Sequence, residues 1–221
     1  MNTLLSILCS KKVKYSFILL ILLFLYIFIC AFSYVNAVSD SLENSVFRLH
    51  VLANSDSEED QNLKYKIRDA LLEYMNSICK NVTSKQEAIS IANQNKNKFY
   101  EIARNIILES GYNYDVSIEI GNFSFPTKTY GDITLPNGFY DALRVKIGNA
   151  EGQNWWCVMF PPLCFVNVSS GIVPDESKEN LKENLSVEEF NIISNENSSH
   201  IKFKFKLIEL LNTVNILTAK K

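Results

Sequence analysis

Only two histidines, His50 and His200, occur in the 221 residues, which removes most of the general-base and metal-ligand chemistry that a hydrolase draws on. The seven glycines are scattered, and none forms a phosphate-cradling loop ahead of a helix, so neither a P-loop nor a dinucleotide-binding fold is supported. No serine stands in the setting of a nucleophile elbow. Basic residues do not dominate either: 22 of them face 24 acids, a balance that argues against nucleic acid and against an anionic membrane surface as partner.

What is present is one long apolar run. Lys11, Lys12 and Lys14 precede the uncharged stretch "YSFILLILLFLYIFICAF" from Tyr15 to Phe32, the pattern of a signal peptide's basic and apolar regions. Val35 and Ala37 stand where a signal peptidase prefers small residues, so cleavage is expected between Ala37 and Val38, giving a signal peptide over 1–37 and an exported part over 38–221. The alternative is an uncleaved N-terminal membrane anchor, since about 20 apolar residues span a bilayer. Either way the basic cluster lies before the run and the remainder is exported. Removing the leader's three lysines leaves 19 basic against 24 acidic residues.

Of five cysteines, Cys9 and Cys30 lie in the leader, while Cys79, Cys157 and Cys164 are exported to where oxidation occurs. The simplest pairing joins Cys157 to Cys164 and leaves Cys79 as a buried helical thiol. Bridges from Cys79 to either remain open.

"SVFRLHVLAN" alternates Phe47, Leu49 and Val51 against Arg48 and His50 and reads as a strand. "NSDSEEDQ" follows, with four cap formers and three acids suited to a helix start. A helix through Leu63, Ile67, Leu71 and Tyr74 is expected, then a second through Ala88, Ile91, Phe99, Ala103 and Ile107 to Gly111, with a break near Gln94. "YDVSIEIGNF", "YDALRVKIGN" and "NWWCVMF" read as antiparallel neighbours, the segment 168–199 as a mobile insertion with one short helical patch, "VEEFNIIS", and "HIKFKFKL" as a returning strand that ends in a helical turn. The fold class is α+β: an N-terminal strand followed by two helices packed on a mostly antiparallel sheet formed with the C-terminal half, in a single exported domain.

A cysteine hydrolase would use Cys157 with His50 as base, oriented by Asn54 or Asp56. Cys157, however, is flanked by Trp156 and Val158, and apolar surroundings raise a thiol pKa. A zinc site from His50, Cys157 and Cys164 lacks the ligand spacing of structural zinc modules, and "SDSEEDQ" lacks the alternating ligands and central glycine of a calcium loop. No metal or cofactor is expected. The polar turn, with His50, Asn54, Asp56, Asp60 and Gln61, is longer than a helix start needs and doubles as a recognition edge. In "NWWCVMFPPLCF" alternation puts Trp155, Cys157 and Met159 on one face and Trp156, Val158 and Phe160 on the other. Pro161 and Pro162 then end the strand and turn the chain. An exposed tryptophan beside these prolines is hot-spot composition, so Trp155, Trp156, Phe160, Pro161 and Pro162 are candidate partner-binding residues.

"FRLHVLANSDSEEDQNLKYKIRDALL", "NWWCVMFPPLCF" and the terminal "IKFKFKLIEL" closely resemble the stage II sporulation protein R family of endospore formers. The resemblance implies a signalling protein rather than an enzyme. It implies export from the forespore into the intermembrane space facing the mother cell, where a membrane-embedded aspartic protease needs the protein to process pro-sigma-E. The implied partners are that protease and, transiently, the export machinery and signal peptidase, with no nucleic acid and no small-molecule substrate.

Overall fold

The computed structural model describes residues 11–163, 175–194 and 199–219. The chain divides into two compact units, Met1–Val38 and Ser39–Lys221. Helix α1 (Lys11–Ser45) carries an 18-residue stretch of mean hydropathy 2.8, long and apolar enough to cross a bilayer and equally fitting for a signal sequence near the N-terminus. Ala37 and Val38, the expected cleavage pair, are helical residues within it. Its last turns, from Ser39 onward, belong to the second unit.

The centre of that unit is strand β1 (Phe47–Leu52), whose residues are buried on both faces except for partly exposed Leu52. A strand covered on both faces belongs inside a sheet. β1 accordingly lies between β5 (Gly138–Ile147), to which it is parallel, and β6 (Asn154–Phe160), to which it is antiparallel. Strand β2 (Val116–Phe125) closes the order β2-β5-β1-β6 by antiparallel pairing with β5. The sheet is therefore mixed, and the expected adjacency of the last two strands is corrected: β1 intervenes.

Helices α2 (Glu58–Ile78), α3 (Lys85–Gln94) and α4 (Lys96–Glu109) cover one face. Leu63, Ile67, Leu71 and Met75 of α2, with Phe99, Ala103 and Ile107 of α4, meet Leu49, Val51, Val145 and Ile147 in the main core. Burial of each larger side chain contributes about 1.5–3 kcal/mol. The break expected near Gln94 falls at Asn95, whose side chain donates to the Ile91 carbonyl and accepts from the Tyr74 hydroxyl.

The opposite face meets a short hairpin, β3 (Lys128–Tyr130) and β4 (Ile133–Leu135), and the C-terminal part of the chain. Two elements there depart from expectation. The described part of the Ser- and Asn-rich segment forms α5 (Asp175–Asn184), which is unexpected, and α6 (Val187–Ile193), which falls on the expected helical patch, with Leu181 and Ile193 fully buried. The returning strand is instead helix α7 (Ser199–Ala219). The Ile/Phe/Lys alternation spans only a few residues, whereas Ile208 and Asn212, one turn apart, are both buried. Helix propagation is cooperative, and the longer helical pattern carries the short one with it.

Candidate functional site

The turn from β1 into α2 assigns each of its four cap formers a separate task. Ser57 is the N-cap and accepts from the Asp60 amide. Asn54 and Ser55 both donate to Asp60 Oδ2, at 2.8 and 2.6 Å. Asn54 Oδ1 accepts from the Asn149 amide and Asp56 Oδ1 from the Gln153 amide, pinning the β5–β6 connection across the turn. Gln61 donates to the Ser55 carbonyl and accepts from Lys64, whose ammonium, buried to 1% exposure, also donates to the Gln153 carbonyl at 3.0 Å. Gly152 is required here, since a Cβ at that position would meet the Ser55 carbonyl oxygen at 2.1 Å. Burial alone would raise the Asp60 carboxyl's pKa, but the hydrogen bonds from Ser55 and Asn54 outweigh it and hold the group below its ordinary value. Asn54 and Gln61 thus spend their polar atoms within the turn or on its neighbours, Asp60 spends Oδ2 in the turn, and Asp56, though exposed, spends one oxygen on the Gln153 amide.

The two tryptophans occupy different worlds. Trp155 sits on the helix face, edge-on to Tyr65 at 5.5 Å and beneath the Arg68 guanidinium at 4.2 Å, packed against the main core. Trp156 lies on the other face, stacked on His50 at 3.6 Å and edge-on to Phe125 at 4.7 Å. Trp156 and Phe125 form one wall of an apolar groove of ≈ 710 Å³ whose far wall is α7, through Leu210, Ile216 and Leu217. Phe160 and Pro161, joined by a cis peptide, are buried, and Pro162 is half-buried.

Beside this groove the sheet buries charge. Arg48 is 0% exposed, held by Phe125 and Tyr140 at 4.1 and 4.6 Å from its guanidinium carbon, while Nη2 donates to the Tyr130 hydroxyl at 2.7 Å. Desolvated contacts of this kind contribute about 2 kcal/mol each. Arg48 Nε and Nη1 and His50 Nδ1 are buried without a hydrogen-bond partner among the described residues. His50 Nε2 pairs with Asn154 Oδ1 at 2.7 Å. Burial pushes its pKa down to about 4; the Asn154 bond opposes this, and Arg144, Arg48 and Lys146 reinforce it. The imidazole is therefore neutral at physiological pH.

This geometry bears on nucleophilic chemistry. Leu49 faces Cys157 across the β1–β6 pair and His50 faces Trp156, so the cysteine and the histidine lie on opposite faces of the sheet. Cys157 is moreover in a disulfide, whereas Cys79 is a free thiol pushed up to about 11 by burial. A Cys157–His50 dyad does not form. The expected partner Cys164 lies outside the described residues. Among the described residues no cluster of three or more His, Cys, Asp or Glu is placed to hold a metal.

Sequence reasoning missed Phe125, Tyr130 and Tyr140 around Arg48, and α7 across the groove. A charged residue on a strand otherwise reading as buried was the available signal for the first. For the second the signal is the helical pattern that overlaps the tail's short strand-like alternation.

Comparison with known proteins agrees with the motifs. The family model for stage II sporulation protein R matches residues 43–170. Stage II sporulation protein R of Bacillus subtilis strain 168 is 40% identical over 144 residues, covering 64% of this chain and 64% of that protein. No solved structure matches. The matched region begins near the end of α1 and takes in the polar turn, the whole sheet and the aromatic strand, and the chain belongs to the stage II sporulation protein R family, which gives it a role in sporulation.

Proposed function

We propose that the second unit is an exported intercompartmental signal, made in the forespore, that activates a membrane-embedded aspartic protease and so triggers processing of pro-sigma-E. One observation carries the reading. The signature residues build a cross-braced turn beside an aromatic strand, and Cys157 and His50 are split across the sheet. Rigid, pre-organised surfaces suit binding, because little ordering entropy is lost on association. An effector shifts a protease toward its active or dimeric state only if it binds that state more tightly, so substitutions act through affinity.

The test is co-expression with the protease and the sigma precursor in a non-sporulating host. Precursor processing that depends on this chain and survives joint replacement of Cys157 and Cys164 by Ser supports the ligand reading. Processing lost in that variant while the fold stays intact revives the cysteine hydrolase.

Export follows the leader, and two readings of its fate are separable. Signal cleavage releases a chain starting at Val38, whereas α1 running unbroken through Ala37 and Val38 favours retention as an anchor. N-terminal sequencing of the exported protein decides between them.

A further inference from the structure

We infer that Trp156 anchors a docking surface for a partner segment that is apolar at one end and carries carboxylates at the other. The inference deepens the ligand reading above and rests on it for the partner's identity. Its apolar half is the groove between Phe125, Trp156 and α7. Leu210 and Leu217, which line it, are 62% and 63% exposed, and Val214 between them is 50% exposed. Residues spaced by four and three form one stripe along a helix, and a contiguous apolar stripe bordering a groove marks an interaction site. Lys206 and Glu209 at the rim pair with one another and contribute no net charge.

The charged half begins across His50 from Trp156. On this face of the sheet Glu119, Arg144, His50 and Trp156 stand in one row on β2, β5, β1 and β6, with Lys146 in the row above. Arg144 and Lys146 are 26% and 35% exposed and both engage the same carboxylate, Glu119. Arg48, buried two residues from His50, adds a third cation with no ion pair among the described residues. Two of these cations, Arg144 and Lys146, face the one carboxylate Glu119 at the surface, and Arg48 lies caged beneath this face. The surplus is positive and local, and it complements carboxylates on a partner. Trp156 joins the two halves and is a half-buried aromatic at the centre of a surface, the position and residue type in which binding energy concentrates. Trp155, packed on Tyr65 and Arg68 on the other face, has no part in it.

The test uses the full chain in lipid nanodiscs, carrying Trp155→Phe so that Trp156 is the only tryptophan and is excited selectively, at the red edge beyond the tyrosine band. The probe is a short synthetic peptide with leucine and phenylalanine in its first half and glutamates in its second; its twin has lysines in place of the glutamates. A saturable change in Trp156 emission is expected with the acidic probe. Its affinity should drop about tenfold with Arg144→Glu and Lys146→Glu together, while the lysine twin gains. Leu217→Ser, at an exposed position that folding does not need, should weaken the acidic probe as well. Equal binding of the two probes, indifference to the charge reversal, or no saturable change overturns the inference. Quenching of Trp156 by brominated lipid assigns the groove to the membrane and overturns it too. In the co-expression assay, unchanged processing by the charge-reversed and Leu217→Ser variants refutes this surface and leaves the ligand reading standing. Absent processing by the unaltered chain refutes that reading, and the peptide titration still decides the surface.

Discussion

Two buried groups of opposite sign make the pH dependence of stability a test of the structure. His50 has its pKa lowered from 6.5 to about 4, by burial first and then by Arg144, Arg48 and Lys146. Its neutral form is favoured on folding, so this contribution is complete above about pH 6.5 and is lost as pH falls toward 4. Glu43, in the part of α1 that belongs to the second unit, is raised from 4.5 to about 7, by burial first and then by Asp40. Its protonated form is favoured, so this contribution is complete below about pH 4.5 and is lost as pH rises toward 7. Between pH 4.5 and 6.5 the two slopes oppose. His50, only 6% exposed, accounts for about 2.5 kcal/mol over that window at 1.36 kcal/mol per unit. Glu43 is half-buried and solvent screening reduces its share to roughly 1–2 kcal/mol. The unaltered chain should therefore gain only about 1 kcal/mol from pH 4.5 to 6.5, the two slopes nearly cancelling. Glu43→Gln, which can still accept from the Phe139 amide, should unmask the full rise of about 2.5 kcal/mol. His50→Gln should invert the profile into a fall. Urea unfolding of the full chain across this range, followed by circular dichroism, reads all three curves. Parallel profiles for the unaltered chain and Glu43→Gln would refute the assignment of these environments.

Asp60→Ala removes the acceptor of two hydrogen bonds at 4% exposure and strands the Asn54 and Ser55 donors, at an expected loss of about 3 kcal/mol in the same urea assay. Asp56→Ala, exposed and making one such bond, should lose about 1 kcal/mol, and equal losses for the two would show that the turn is not braced through Asp60. Gly152→Ala forces a Cβ against the Ser55 carbonyl and should destabilise by about 2 kcal/mol or more, whereas Gly111→Ala, with φ +84° but open space, should lose only about 1 kcal/mol. Reducing the disulfide of Cys157 should lower stability by about 2.5 kcal/mol if the ring closes at Cys164, and peptide mapping under non-reducing conditions checks that pairing.

How much was legible follows from the range of the interactions. The start of α2 and the break at Asn95 are set by residues within a turn of each other, and both stand where the local pattern puts them. Strand alternation likewise separates Trp155 from Trp156 using nothing beyond neighbours. The central place of β1 depends on pairing with β5, roughly a hundred residues later, and no local signal encodes a parallel partner. Arg48 illustrates the same limit: its cage comes from Phe125, Tyr130 and Tyr140, and from the strand alone it reads as a solvated residue. In the tail, two periodicities overlapped, and the choice between them was made by burial of Ile208 and Asn212 against the rest of the unit.

The end of α1 ties the leader question to the fold. Ser39 Oγ pairs with Asn212 on α7, Glu43 accepts from the Phe139 amide on β5, and the Glu43 carbonyl accepts from Lys85 on α3, so three elements hold seven residues, 39–45. Leu42 is buried among them to 1% exposure. Gly138 permits the approach, for a Cβ there would stand 2.6 Å from Glu43 Oε1. A peptidase acting between Ala37 and Val38 needs extended chain, and here it meets helix directly followed by an anchored segment. If the leader is cut at this bond, the cut is favoured before the second unit folds, while 39–45 is still free. Once folding has docked that segment, unwinding the cleavage site works against the Ser39–Asn212 and Glu43–Phe139 bonds as well as the helix itself. Every residue of the proposed docking surface around Trp156 lies in the second unit, so the surface proposal does not depend on the fate of the leader.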